Sequence, residues 1–164
     1  VRSILREKTS DFFVMLQYDK ADWLKFWNLY CSENREFMKG YIEKYQLNDE
    51  GVKEILQGYE RPFLDQIKQK NEQIKHLKQA TVKNLNKSSK ELELIKEDFV
   101  IFLIGALGIE DVSFIERKDK HLILIDLVSL GKNQRIDDLQ NIVLGSAYAI
   151  RDRINTKEKN LEEI

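Results

Sequence analysis

The side chains able to carry out chemistry are few in this sequence and far apart. Histidine occurs twice, as His76 in a lysine-rich stretch and as His121 at the head of an apolar run, and cysteine occurs once, as Cys31. Catalytic zinc generally takes three protein ligands with histidines prominent among them, so no metal-ligand spacing is present and no metal or other cofactor is expected. Cys31 has Arg35, one helical turn away, as its only neighbour in sequence able to lower a thiol pKa, and it reads as a small buried packing group. Asp126 interrupts "HLILIDLV". A carboxylate among apolar side chains needs a lysine or backbone donors, which places it at the end of a strand. Asp137 and Asp138 read as acids at the positive end of a helix dipole rather than as a catalytic dyad. No glycine-rich phosphate loop or nucleophile-elbow pattern occurs, so no catalytic residue is assigned.

Charge provides one further candidate. The stretch "IKQKNEQIKHLKQATVKNLNKSSK" carries Lys68, Lys70, Lys75, Lys78, Lys83, Lys87 and Lys90 against the single acid Glu72. Most of these lysines fall opposite an apolar stripe of Ile67, Ile74, Leu77 and Leu85, so a polyanion or nucleic-acid backbone is an alternative partner for that face. Arginines and interleaved aromatics, which stack on and read bases, are missing, so no specific nucleic acid is expected. The net charge of −1 over 164 residues points the same way.

These residues have to be positioned by a single domain, since 164 residues, 42% of them hydrophobic, suffice for one core. Residues 1–97 are predicted to be mainly helical. Aromatic and apolar residues recur at helical spacing from Asp22 to Tyr45, among them Trp23, Trp27, Tyr30, Phe37 and Tyr41, and these read as core. A short helix covers Glu50 to Leu56, capped by Asn48 or Asp49, and a long one runs from Pro62 past Leu85, with a restart at the Ser88/Glu91 capping-box spacing. Residues 98–130 are predicted to be strands: Phe99 to Ile104, then Val112 to Glu116 and His121 to Val128 joined by a polar turn at Lys118-Asp119-Lys120. Residues 135–164 hold a helix, Ile136 to Ile154, and a tail. The expected fold is α+β, with an N-terminal helical layer, a small, mainly antiparallel sheet of about three strands, and a C-terminal helix packed on it. No apolar run approaches the ~20 residues of a membrane span, no signal sequence opens the chain, and a cytoplasmic location is expected.

On that last helix Leu139, Ile142, Val143, Ser146, Ala149, Ile150 and Ile154 share one side, while Leu144 and Tyr148 point elsewhere. Leu144 and Tyr148 are one turn apart, the spacing of the histidines in H-E-x-x-H, where the intervening glutamate acts as general base. The layout of "WNLYCSENREFMKGYIEKY", a long helix, "DFVIFLIGALGIEDVSFIERKDKHLILIDLV" and a helix on the sheet resembles the front half of zincin-like proteins related to zinc-dependent peptidases. That resemblance implies two histidines and a glutamate where Leu144, Tyr148 and Gly145 stand. All three are replaced. The family's further ligand would come from a following helical subdomain, for which the residues after Ile154 leave no room. The implied protein is a non-catalytic zincin-like interaction or regulatory protein, not an enzyme, with a homodimer or another protein as partner and no membrane. A hydrolase completed by a partner chain or by unrecognised residues is the other alternative. Leu144 and Tyr148, bordered by Asn141 and Arg151, form the candidate interaction patch, open to cover by the Thr156 to Ile164 tail or by a second copy.

Overall fold

A computed structural model describes residues 5–88, 98–117 and 120–162. Four strands, β1 (Leu5–Lys8), β2 (Asp98–Ile104), β3 (Val112–Arg117) and β4 (Lys120–Asp126), form one sheet in the order β1-β2-β4-β3. β3 and β4 pair antiparallel, with Phe114 opposite Ile123, while β4 pairs parallel to β2 and β2 parallel to β1. Seven helices surround it among the described residues: α1 (Trp23–Glu33), α2 (Arg35–Lys44), α3 (Asp49–Gln57), α4 (Arg61–Gln73), α5 (Lys75–Lys87), α6 (Leu127–Lys132) and α7 (Leu139–Glu162).

Side chains alternate along a strand, so the register sorts them onto two faces. Val100, Phe102 and Ile104 share a face with Leu122, Leu124, Asp126 and Ile115; Phe99, Ile101 and Leu103 share the other with His121, Ile123, Ile125 and Phe114. The first face packs on α1 and α2. Phe37 stacks on Phe102 at 4.6 Å between ring centroids, and Trp27 lies edge-on to Phe12, which belongs to a 3-10 turn, Phe12–Gln17. Gly40 of α2 sits so close to Ile115 that a Cβ would collide with that side chain, which explains a glycine in mid-helix despite its poor propensity. The second face is mainly aliphatic apart from Phe99, Phe114 and His121, and packs on α7 through Leu139, Ile142, Val143, Ala147, Ile150 and Ile154, all buried, with α5 lying alongside α7.

The α+β class stands, and the aromatic residues expected in the core are there: Trp23, Trp27, Tyr30, Phe37 and Tyr41 are buried. Asn48 caps α3 as expected, accepting a 2.8 Å bond from the Gly51 N–H. Several details differ. The sheet has four strands rather than about three and is mixed rather than mainly antiparallel, because β4 returns beside β2 and leaves β3 outside. Residues 1–97 include a strand, β1, whose charged sequence LREK hides it. The strand expected to reach Val128 stops at Asp126, whose side chain accepts the Val128 N–H and starts α6. The helix expected over Asp22 to Tyr45 breaks at Asn34 into α1 and α2, and the long helix breaks at Ile74 into α4 and α5. Of the restart expected at Ser88/Glu91, Ser88 follows the end of α5 and Glu91 lies outside the described residues.

Candidate functional site

Asp126 is the most strongly perturbed carboxylate among the described residues. It ends β4, is 2% exposed, and accepts hydrogen bonds from the backbone N–H groups of Ala106 (3.1 Å), Gly108 (2.7 Å) and Val128 (2.9 Å). Burial pushes its pKa up to about 6, against the opposing pull of those donors. Gly108 has φ +74°, a conformation that suits glycine and turns its N–H onto the carboxylate. Tyrosines clamp the same turn. The Tyr59 hydroxyl donates to the Leu107 carbonyl (2.5 Å), and the Tyr41 hydroxyl accepts from the Leu107 N–H (3.4 Å). Burial raises the Tyr59 pKa to about 12 and that of Tyr41 further, so both stay protonated. The C-terminal ends of parallel strands are where open α/β sheets hold ligands. Here the converging N–H groups are satisfied by the chain's own carboxylate, so the arrangement is a structural knot.

Beside it, Asp111 accepts from Ser129 Oγ (2.6 Å), Asn133 Nδ2 (2.8 Å) and Arg135 (2.5 Å). Burial alone would raise its pKa, but those three donors outweigh it and hold the carboxyl below its ordinary value. Sequence reasoning passed over Asp111, Asn133 and Arg135, whose association depends on the unrecognised α6.

The second region lies between α7 and β3. One cleft there, of about 470 Å³, is lined by Phe114, Glu116 and His121 from the hairpin and by Arg153, Ile154 and Lys157 from α7. Arg153 lies over the Phe114 ring, 4.3 Å from its centroid, and Lys157 reaches across to pair with Glu116. A second cleft, of about 420 Å³, continues toward the start of α7 along Asn141, Ile142, Gly145, Ser146 and Ala149. Three pairs of α7 residues one turn apart face this cleft, Asn141 and Gly145, Ile142 and Ser146, and Gly145 and Ala149, and the Ser146 hydroxyl is used on the Ile142 carbonyl at 2.6 Å.

Leu144 and Tyr148 are placed differently from the expectation. They are half-buried and pack against the core, on a helix that has α5 running along it. Arg151 lies over the Tyr148 ring at 4.8 Å and bonds to Asp152, while Asn141 is exposed and lines the cleft on the β3 side. The strip is therefore not bare. As far as Glu162 the tail does not fold back over it either, because α7 continues there as one helix, and the last two residues of the expected cover lie outside the described residues. A helical projection locates a face but not a second helix beside it.

The lysine-rich face is partly tied into the fold. Lys78 pairs with Glu7 and Asn71, both at 2.5 Å, and Lys70 pairs with Asp137 at 2.9 Å. Lys75, Lys83 and Lys87 are exposed, Lys68 is half-buried, and Lys90 lies outside the described residues. His76 is exposed on α5 and His121 buried on β4, so the two are not brought together. Cys31 is buried, which pushes its thiol pKa up to about 12. Among the described residues no three His, Cys, Asp or Glu side chains converge as metal ligands would, and no helix is long and apolar enough to cross a membrane.

Fold and site together define a three-layer α+β domain with a self-satisfied acidic knot at one end of its sheet and an open groove along one edge. Comparison with known proteins finds no matching family model, no matching curated protein and no matching solved structure.

Proposed function

We propose that this chain is a non-catalytic interaction or regulatory protein built on a zincin-like scaffold. The observation that carries the reading is the side-chain chemistry of α7. None of the α7 pairs one turn apart, Leu144 and Tyr148 on the flank or Asn141 and Gly145, Ile142 and Ser146, and Gly145 and Ala149 on the cleft, offers an imidazole or a carboxylate. Zinc-dependent hydrolysis needs both a ligand set and a general base, and these positions supply neither. What the groove beside α7 does offer is shape, with apolar walls and charged ends, which suits contact with another polypeptide. The buried Cys31 fits a reducing compartment such as the cytoplasm.

The test is metal analysis after exhaustive dialysis together with hydrolysis of a mixed peptide library. Zinc well below one per chain and no cleavage are expected. Stoichiometric zinc, or cleavage abolished by a chelator, would overturn the reading in favour of a hydrolase.

A further inference from the structure

The outer surface of α5 carries charge of one sign. Its sequence, KHLKQATVKNLNK, contains no acid, and it exposes Lys75, Lys83 and Lys87 together with His76, Gln79 and Asn86. The nearest acid before it in the chain is Glu72, on the last turn of α4. The fold uses one lysine of the helix, Lys78, on Glu7 and Asn71. Lys75, Lys83 and Lys87 make no ion pair or side-chain hydrogen bond with a described residue. Helix stability does not account for them either, since Lys83 and Lys87 stand one turn apart, a spacing at which like charges weaken a helix slightly. Nothing in the described fold neutralises the face, which leaves that to an anionic partner or to counter-ions.

We propose that the outer face of α5 is a contact surface for the phosphate backbone of nucleic acid, which it holds without regard to sequence. A duplex presents one negative charge for roughly every 1.7 Å of its axis, so lysines spread along roughly 18 Å of helix each meet a phosphate without needing a particular register. The amides of Gln79 and Asn86 add donors that phosphate and sugar oxygens accept. The groups that read bases are missing. No arginine stands on α5 to fork onto a guanine and no aromatic to stack, so the contact positions the backbone and selects no sequence.

Two other anionic partners fit the face less well. A helix that lies on an anionic membrane buries apolar side chains in it, and the exposed large apolar side chains among the described residues, Val14, Tyr18, Leu29 and Ile109, all belong to other elements. The core of a protein interface is enriched in aromatic residues, methionine and arginine and depleted in lysine, the reverse of what α5 exposes. The inference adds a second surface to the proposed function, and it depends neither on the groove beside α7 nor on the zincin-like character of the scaffold.

Fluorescence anisotropy with a labelled short duplex of mixed sequence, read over a salt series at constant pH, is the test. One variant carries Lys75→Gln, Lys83→Gln and Lys87→Gln; a comparison variant carries Lys25→Gln, Lys39→Gln and Lys53→Gln, which removes the same charge from exposed positions on α1, α2 and α3. Glutamine is close to lysine in helix propensity, so both should unfold at the temperature of the wild type. The wild type is expected to bind with log K falling by about 2.7 for each log unit of salt, three phosphates at roughly 0.9 each. Lys83→Gln alone should lower that slope by about 0.9. The α5 triple should bind weaker by on the order of tenfold or more at low salt, and the comparison triple like the wild type. No binding at low salt, equal losses in the two triples, or a preference for one sequence would overturn the proposal. So would tighter binding to polyglutamate or to vesicles containing phosphatidylserine than to the duplex, which would reassign the face to an acidic polypeptide or a membrane. None of these readouts involves zinc or peptide cleavage, so this inference and the proposed function fail separately.

Discussion

The two faces of the sheet solve the same problem with different materials. Toward α1 and α2 the cover is aromatic, with Trp23, Trp27, Phe37, Tyr41 and Phe102 almost wholly buried. Toward α5 and α7 it is aliphatic, and the clefts beside Phe114 lie on that side. Large rings fill volume and remove much apolar area from water, so the aromatic face should hold most of the stability. Short side chains on α7 leave gaps along the β3 edge. The difference teaches that this fold separates the face that keeps it folded from the face that has room for contact.

The largest expected effect breaks the aromatic face. Trp27→Ala leaves a cavity beside Phe12, Tyr30 and Tyr41 and should cost about 3–5 kcal/mol in a urea unfolding experiment. An effect no larger than that of a half-buried residue on α7 would remove the basis for ranking the faces.

The buried charge on the same aromatic face comes next. The Asp126 pKa is raised from 3.8 to about 6, so between those values the folded chain keeps a proton that the unfolded chain has lost. Its contribution to stability is full below about pH 4 and is lost as pH rises through about 6, by on the order of 3 kcal/mol. Asp126→Asn should flatten that slope in denaturant melts across the range, from a lower starting stability because an amide NH₂ cannot accept the backbone donors. An unchanged slope would mean that another group carries the titration.

Two smaller effects probe the α7 side. Tyr148→Ala removes a half-buried ring and should cost about 0.8–1.5 kcal/mol, half the value of a fully buried side chain. No loss would return Tyr148 to the bare strip expected from sequence. Gly145→Ala should instead stabilise the chain by about 0.5–1 kcal/mol, since the added methyl meets open space and lowers the entropy cost of the helix. A loss of stability there would show that a neighbouring group packs against Gly145.

How much of this was legible in the sequence depends on how local the cause is. The β3–β4 pairing was readable because two alternating runs lie within a short stretch, the turn expected between them at residues 118–119 lying outside the described residues, and the α3 cap was readable because Asn48 and Gly51 are three residues apart. Parallel pairing of β2 with β4 leaves no such mark, since it is decided by where the hairpin folds back. β1 was missed because Leu5 is the one apolar residue in the strand, and α6 because Leu127 and Val128 continue the apolar run of β4. Of the candidate site, the strand-end role of Asp126 followed from the cost of an unpaired buried carboxylate. Its partners did not, because Ala106 and Gly108 come from a different loop. On α7 the projection put Leu139, Ile142, Val143, Ile150 and Ile154 on the buried side, but it missed the buried Ala147, set Asn141 beside Leu144 and Tyr148 although it lines the cleft, and had no means of showing that α5 runs along the helix.

The parallel pairing of β1 with β2, in which Leu5 meets Ile101, also has a consequence for the order of events during synthesis. About ninety residues separate Lys8 from Asp98. At the roughly 5–20 residues per second of translation, the first strand made waits on the order of 5–20 s for its neighbour to exist. Throughout that interval it is an unpartnered segment on a ribosome crowded with other nascent chains. Three charges in four residues make it a poor template for anything else, so the feature that concealed the strand from a reader of the sequence also keeps it available for the one pairing it has to make.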